Sequence, residues 1–236
     1  MTSSADTRNL KTDTLATLAV AALLGVAVYA ALFLAPNERT MGLIQRIFYL
    51  HVPSAWTGFV AFFISFVASI AYLRGRAPKW DWLAVSAAEI GVAFFTGVLI
   101  TGPIWAKPVW GIWWTWDARL TSTFVLWALY VCYLLLRTLV DDPERRAVLS
   151  AVFGIFAFFD MPLVYFSIWF FRTQHPQPVI GRGGSLDSRM LYVLLLCWAA
   201  LLGVMTLLLR QRYRVEALRH QLAELRLEAE RRGEQA

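Results

Sequence analysis

Apolar residues dominate six stretches of the chain, at positions 14–35, 55–73, 83–101, 120–136, 148–171 and 191–209. Charged or Pro/Gly-containing connectors separate them. A helix crosses the hydrocarbon core of a bilayer with about 20 mostly apolar residues, so each stretch predicts a membrane-spanning helix. The connectors are too short to fold alone. The pattern therefore predicts an all-α, polytopic, six-helix membrane domain over residues 1–209 and a charged, helical tail over 210–236. The first stretch follows Arg8 and Lys11, as the apolar part of a secretion signal would. It is longer than such signals, and Pro36-Asn37-Glu38 offers no small-residue cleavage site, so it is read as a helix.

Composition agrees, with 58% hydrophobic and only 16% charged residues, a balance that excludes an ordinary soluble globule. Charge then sets the orientation. Six crossings put both termini on one side, together with Arg8, Lys11, Arg74, Arg76, Lys79, Arg137, Arg145, Arg146 and the arginine-rich tail. The other side holds Arg39, Arg46, Lys107, Arg119, Arg172, Arg182 and Arg189. The positive-inside rule places the termini in the cytoplasm. The net charge of +6 is mostly this topology signal; the expected partner is the lipid bilayer and not nucleic acid.

With that orientation the connectors after the first, third and fifth helices emerge on the outer face. The connector between helices three and four carries W-A-K-P-V-W-G-I-W-W-T-W-D-A-R-L-T, with five tryptophans between Trp105 and Trp116. One or two tryptophans at an interface are ordinarily an aromatic belt, which suffices for Trp80, Trp82 and Trp169. Five in twelve residues exceed what anchoring requires. Of the chain's three histidines, His51 and His175 fall in the other two outer connectors, beside Pro53 and Pro176, and His220 lies on the tail as a solvated helix residue. A lone interfacial histidine is usually a hydrogen-bonded polar group, whereas two on the face that carries the tryptophans make ligation an equal reading.

Zinc would want further ligands close by, but Cys132 and Cys197 lie mid-membrane and form no C-x-x-C. A haem suits the set better. Neutral imidazoles coordinate iron from both faces, indoles stack on a flat macrocycle, and arginines pair with propionates. Arg46, Arg119 and Arg172 are the candidate propionate partners, with Lys107 nearby. Asp117 is expected to orient an imidazole N–H or an arginine rather than meet the propionates. Without C-x-x-C-H the haem is expected to be a non-covalent haem b.

W-G-I-W-W-T-W-D-A-R-L-T resembles the tryptophan-rich signature of the WWD haem-handling membrane proteins. With R-I-F-Y-L-H-V-P-S-A-W and R-T-Q-H-P, the stretch from about Gln45 to Leu209 is similar to the haem exporter C family of the bacterial cytochrome c maturation system. The resemblance implies axial iron ligation by His51 and His175. It implies haem contact by Trp110, Trp113, Trp114, Trp116 and Asp117, with Trp105 beside them. It further implies a multi-pass protein of the bacterial inner membrane that presents haem to a membrane-anchored periplasmic chaperone. The implied partners are an ABC-transporter ATPase, a membrane subunit and a small single-helix protein. The sequence contains no G-x-x-x-x-G-K-[ST], so ATP would be hydrolysed elsewhere, and the chain is read as a handling subunit rather than an enzyme.

Two intramembrane carboxylates, Glu89 and Asp160, are functional candidates by position, against the plainer reading that each is buried and hydrogen-bonded. Asp160 is the better pocket-floor candidate, and Pro162 is expected to kink its helix. On the tail, Val215, Leu218, Leu222, Leu225 and Ala229 recur at a/d spacing, for docking or mere solvation. The rival readings are a cytochrome c synthase, whose chains look longer, and a bis-histidine electron-transfer cytochrome, whose ligands would sit within helices. A transporter of an unrelated aromatic solute would have no use for paired imidazoles.

Overall fold

A computed structural model of the chain describes residues 4–175 and 186–233; Pro176 and Arg182 lie outside them. Its helices are α1 (Ser4–Tyr29), continued by a π-helical turn over Ala30–Leu34, then α2 (Phe48–Gly75), α3 (Pro78–Trp110), α4 (Ala118–Leu139), α5 (Pro143–Phe158), α6 (Asp160–Phe170) and α7 (Ser188–Gly233). With α5 and α6 taken as one broken helix, six segments are long and apolar enough to cross a membrane. The break at Phe159 comes three residues before Pro162, whose ring cannot follow a straight helix and whose nitrogen donates no bond.

α2 and α3 form the spine, and reciprocal glycine–phenylalanine contacts set their register. A Cβ on Gly58 would lie 2.5 Å from the Phe95 ring, and one on Gly91 would lie 2.3 Å from the Phe62 ring. Each glycine thus makes the space that a fully buried ring of the facing helix fills. Phe62 in turn stacks on Tyr130 of α4, with ring centroids 3.8 Å apart. Seven residues from the Gly58–Phe95 pair, the same antiparallel register brings His51 of α2 against Gly102 of α3, whose Cβ would meet the imidazole at 3.5 Å. Small residues mid-helix therefore fix, by packing alone, which side chains face each other at the helix ends.

α7 runs without a break from the last apolar stretch into the tail, through Gly233. It packs on α1 through Ala27, Val193, Leu194 and Ala200. Arg210 pairs with Asp13 at 2.8 Å, Arg214 also reaches Asp13, and Arg212 donates to Glu89 at 2.6 Å and to Glu216 at 3.0 Å. His220 is not simply solvated: its ring lies 5.2 Å from that of Trp82 on α3. Glu89 is thereby placed in an ion pair with the final helix. Val215, Leu218, Leu222 and Leu225 remain exposed.

Candidate functional site

His51 sits at the fourth residue of α2, not in the connector that the sequence predicts. Pro53 reads as a helix boundary, yet it is the sixth residue of α2 and the helix runs through it. A 3₁₀ turn over Leu43–Ile47 leads straight into the helix. Before it, Glu38 closes a turn by accepting the backbone N–H groups of Thr40 and Met41 and the Thr40 hydroxyl. The Thr40 hydroxyl foremost, with these amides, holds the Glu38 carboxyl below the usual range.

The imidazole of His51 is buried, at 8% exposure. Its Nδ1 lies 2.8 Å from Oγ1 of Thr101 on α3, and the Thr101 hydroxyl donates to the Gly97 carbonyl at 2.7 Å. Trp105 stands edge-on to the imidazole at 5.8 Å between centroids and edge-on to Phe48 at 6.1 Å. His175 and Arg119 both lie within electrostatic reach of His51. The two histidines that the sequence singles out thus lie at the same end of the bundle, although they are 124 positions apart in the chain.

Asp117 joins the tryptophan segment to the His175 segment. One carboxylate oxygen caps α4, accepting from Arg119 N and Leu120 N at 3.0 Å each, as a helix N-cap does. The other accepts from the Thr115 hydroxyl at 3.0 Å and from Gln174 N at 3.1 Å. Burial pushes this carboxyl up, but the Leu120 and Gln174 amides and the Thr115 and Thr173 hydroxyls together hold it below the ordinary carboxylate range. Arg119 lies in the field of Asp117, and the hydrogen bonds of this carboxylate among the described residues go to backbone amides and threonine hydroxyls.

The tryptophans divide into two groups. α3 extends nine residues beyond the predicted end, through Pro103 and Pro108, so Trp105 and Trp110 are helical. The loop proper keeps Trp113, Trp114 and Trp116. Trp114 and Trp116, edge-on at 5.6 Å, line an open, largely apolar groove of about 370 Å³ with Thr96, Leu99, Ile100, Phe124 and Trp127. At 3.6 residues per turn, Thr96, Leu99 and Ile100 point away from the face of α3 that carries Thr101, Gly102 and Trp105. The loop backbone is therefore tied to the His175 segment while these two rings turn to the far side of α3. Trp113 and Trp116 are 57% and 72% exposed.

Arg46 lies one turn before His51 and donates to Asn37 Oδ1 at 3.2 Å; its Nε is buried with no hydrogen-bond partner among the described residues. Arg119 occupies the first turn of α4 in the field of Asp117 and of Tyr165 on α6. Arg172 is exposed just after α6. Among the described residues none of these three has a carboxylate within 4.0 Å. Lys107 instead caps the end of α3, donating to the Gly111 carbonyl at 2.8 Å. Asp160, five residues and roughly 7–8 Å along the helix from Tyr165, has Oδ2 buried with no hydrogen-bond partner among the described residues. The N–H groups of Trp105 and Trp114 are also buried and have no hydrogen-bond partner among the described residues. Sequence reasoning missed Thr101, whose position facing His51 follows only from the α2–α3 register.

The family model for CcmC, heme exporter protein C, matches residues 3–228. The chain is 36% identical over 207 residues to heme exporter protein C of Bradyrhizobium diazoefficiens, covering 87% of this chain and 78% of that one. It is 32% identical over 199 residues to heme exporter protein C of Haemophilus influenzae, covering 84% and 81%. To a putative cytochrome c biosynthesis ccmC-like mitochondrial protein of Marchantia polymorpha it is 31% identical over 179 residues, covering 75% and 76%. A model match over nearly the whole length, on six membrane-spanning segments that gather the two histidine segments and the tryptophan segment at one end, makes this chain a member of the heme exporter protein C family.

Proposed function

We propose that this multi-pass membrane protein, whose family handles haem for cytochrome c maturation, holds a non-covalent haem b where α2, α3 and α4 meet the His175 segment. His51 and His175 are the axial ligands. Arg46, Arg119 and Arg172 take the propionates. Trp105 packs beside the ligand, and Trp110 at the end of α3, with Trp113, Trp114 and Trp116 of the loop, forms the rim against which the ring and its acceptor are handled. The haem is presented on the periplasmic face of the bacterial inner membrane to a membrane-anchored chaperone. The chain acts within an ABC-transporter-type complex with an ATPase, a membrane subunit and a small single-helix protein.

The observation that supports this reading is that His175 and Arg119 both lie within electrostatic reach of His51, with Asp117 accepting from the backbone N–H of Gln174, the residue before His175. The residues fit the group. Among the described residues the three arginines have no carboxylate within 4.0 Å, and the buried Nε of Arg46 and N–H of Trp105 have no hydrogen-bond partner; unpaired buried donors are costly unless something accepts from them. Haem supplies an iron with two axial positions and a ring edge for transfer. The chain's own residues bind it, orient it and leave one edge open. The electron-transfer reading is weakened by His175, which follows α6 instead of lying in a helix, although His51 is helical.

Purified protein reconstituted with iron protoporphyrin IX is expected to retain haem that leaves with acidified acetone. No retention after reconstitution sinks the proposal, and haem that stays with the chain contradicts its non-covalent part. Orientation is read separately, with Cys132 and Cys197 replaced by serine. A membrane-impermeant maleimide added outside should label Trp113→Cys and spare Gln221→Cys; the reverse pattern would invert the topology.

A further inference from the structure

We propose that Thr101 is a positioning residue that decides which nitrogen of His51 is free to bind iron; the proposal rests on the haem reading above. A count of protons leads to it. Thr101 Oγ1 makes two short contacts, 2.7 Å to the Gly97 carbonyl and 2.8 Å to His51 Nδ1, but carries a single hydrogen. A carbonyl oxygen only accepts. Both contacts are hydrogen bonds only if the hydroxyl donates to Gly97 and Nδ1–H donates to the hydroxyl. If the hydroxyl turned to Nδ1 instead, a 2.7 Å contact between two oxygens would be left without a proton. The neutral imidazole then carries its hydrogen on Nδ1, and the lone pair is on Nε2.

Three features hold this state. The Thr101 hydroxyl bonds back to the residue four positions earlier, a bond that helical threonines form readily. His51 is buried, so water does not compete for Nδ1. The α2–α3 register, set by the glycine–phenylalanine pairs, brings the imidazole against Thr101 and Gly102. A partner on the far nitrogen of a ligating histidine fixes its tautomer and raises its basicity, and losing such a partner typically weakens metal affinity about 10- to 100-fold.

The test compares Thr101→Val, which keeps the shape without the hydroxyl, with Thr101→Ser, which keeps the hydroxyl. In protein reconstituted with iron protoporphyrin IX, the valine variant is expected to bind haem about 10- to 100-fold more weakly. Its reduction potential should be more positive, because a less basic imidazole favours ferric iron less. Serine should return both values towards wild type. Wild-type affinity and potential in the valine variant overturn the proposal, as does a serine variant as impaired as valine, since a packing role would give that result.

A second arm needs no haem and no variant at Thr101. In ¹⁵N-histidine-labelled apoprotein, the His51 signal, assigned by its loss in His51→Ala, should report hydrogen on Nδ1; hydrogen on Nε2 overturns the proposal. If wild type fails to bind haem, the functional reading falls while this arm still decides the tautomer.

Discussion

The two ends of the bundle treat their charges in opposite ways. At the end that carries the tail, Arg137 grips Asp81 with two bonds of 2.6 and 2.8 Å. Glu89 is paired with Arg212, and Asp13 with Arg210 and Arg214. These bonds join α3 to α4, α3 to α7 and α1 to α7, so each acid is paired across a helix boundary. At the other end Arg46, Arg119 and Arg172 have no such partner among the described residues, two indole N–H groups are buried unpaired, and two more tryptophans are exposed. Partnered charges fasten helices together. Cations without a carboxylate partner among the described residues, at the end of the bundle that holds two histidines, are what a site for an anionic ligand requires.

The sharpest way to break this contrast is at the histidines. His51→Ala and His175→Ala should each abolish the bis-imidazole, low-spin spectrum and leave five-coordinate or adventitiously ligated haem, with added imidazole partly restoring it. An unchanged spectrum in His175→Ala would mean that this ligand is wrongly assigned.

The next largest effect belongs to the opposite end and should leave haem untouched. Arg137 and Asp81 are 12% and 14% exposed, so Arg137→Ala leaves a largely buried carboxylate alone, a change that typically costs about 3–5 kcal/mol. Thermal unfolding in detergent should show that loss while the haem spectrum of the folded fraction stays as in wild type. A shifted spectrum would mean that the two ends are coupled rather than separate.

Asp117 gives a smaller, graded response. Asp117→Ala removes the cap of α4, worth about 1 kcal/mol, and frees the His175 segment. Asp117→Asn keeps a cap but replaces the oxygen that Gln174 N bonds with either an amide nitrogen or a shared acceptor, so haem retention should fall with little loss of helix stability. The pH dependence has a definite sign. This carboxyl is held below its ordinary value in the folded chain, so its contribution is complete above the unfolded value of about 3.9 and fades as pH falls through the lower folded value. Between about pH 7 and 5 the gap in haem retention between wild type and Asp117→Asn should stay constant, and below about pH 4 it should narrow; a gap that closes near pH 6 would contradict the assignment.

Much of this was legible in the sequence because apolar runs long enough to span a bilayer admit few structures. The six spans, the break before Pro162 and the grouping of three connectors followed from run lengths and parity. What was not legible depended on packing between distant residues. Pro53, Pro103 and Pro108 all lie inside helices, so His51, Trp105 and Trp110 are helical. Thr101 and Asp117 act through contacts 50 and 57 positions away, and Glu89 finds Arg212 at a separation of 123. Periodicity carries no information about such pairs; of these, the His51–Thr101 contact lies between α2 and α3 and follows from the Gly58–Phe95 and Gly91–Phe62 fit.

The smallest effects are expected in the tryptophan loop. An aromatic contact is worth about 0.5–1.5 kcal/mol beyond area burial, so Trp→Ala at 110, 113, 114 or 116 should each weaken haem retention modestly. Trp116, the most exposed of the loop tryptophans and turned to the far side of α3, should matter least. The quadruple change should abolish retention; full haem in that variant would make the run an interface belt.

Closure of His51 and His175 on one iron is tested most directly by the low-temperature electron paramagnetic resonance spectrum of the wild-type chain reconstituted with ferric protoporphyrin IX. A low-spin signal of bis-imidazole type, lost in either alanine variant, is the expected result. A high-spin signal in the wild type, or a low-spin signal that survives both substitutions, would contradict the account.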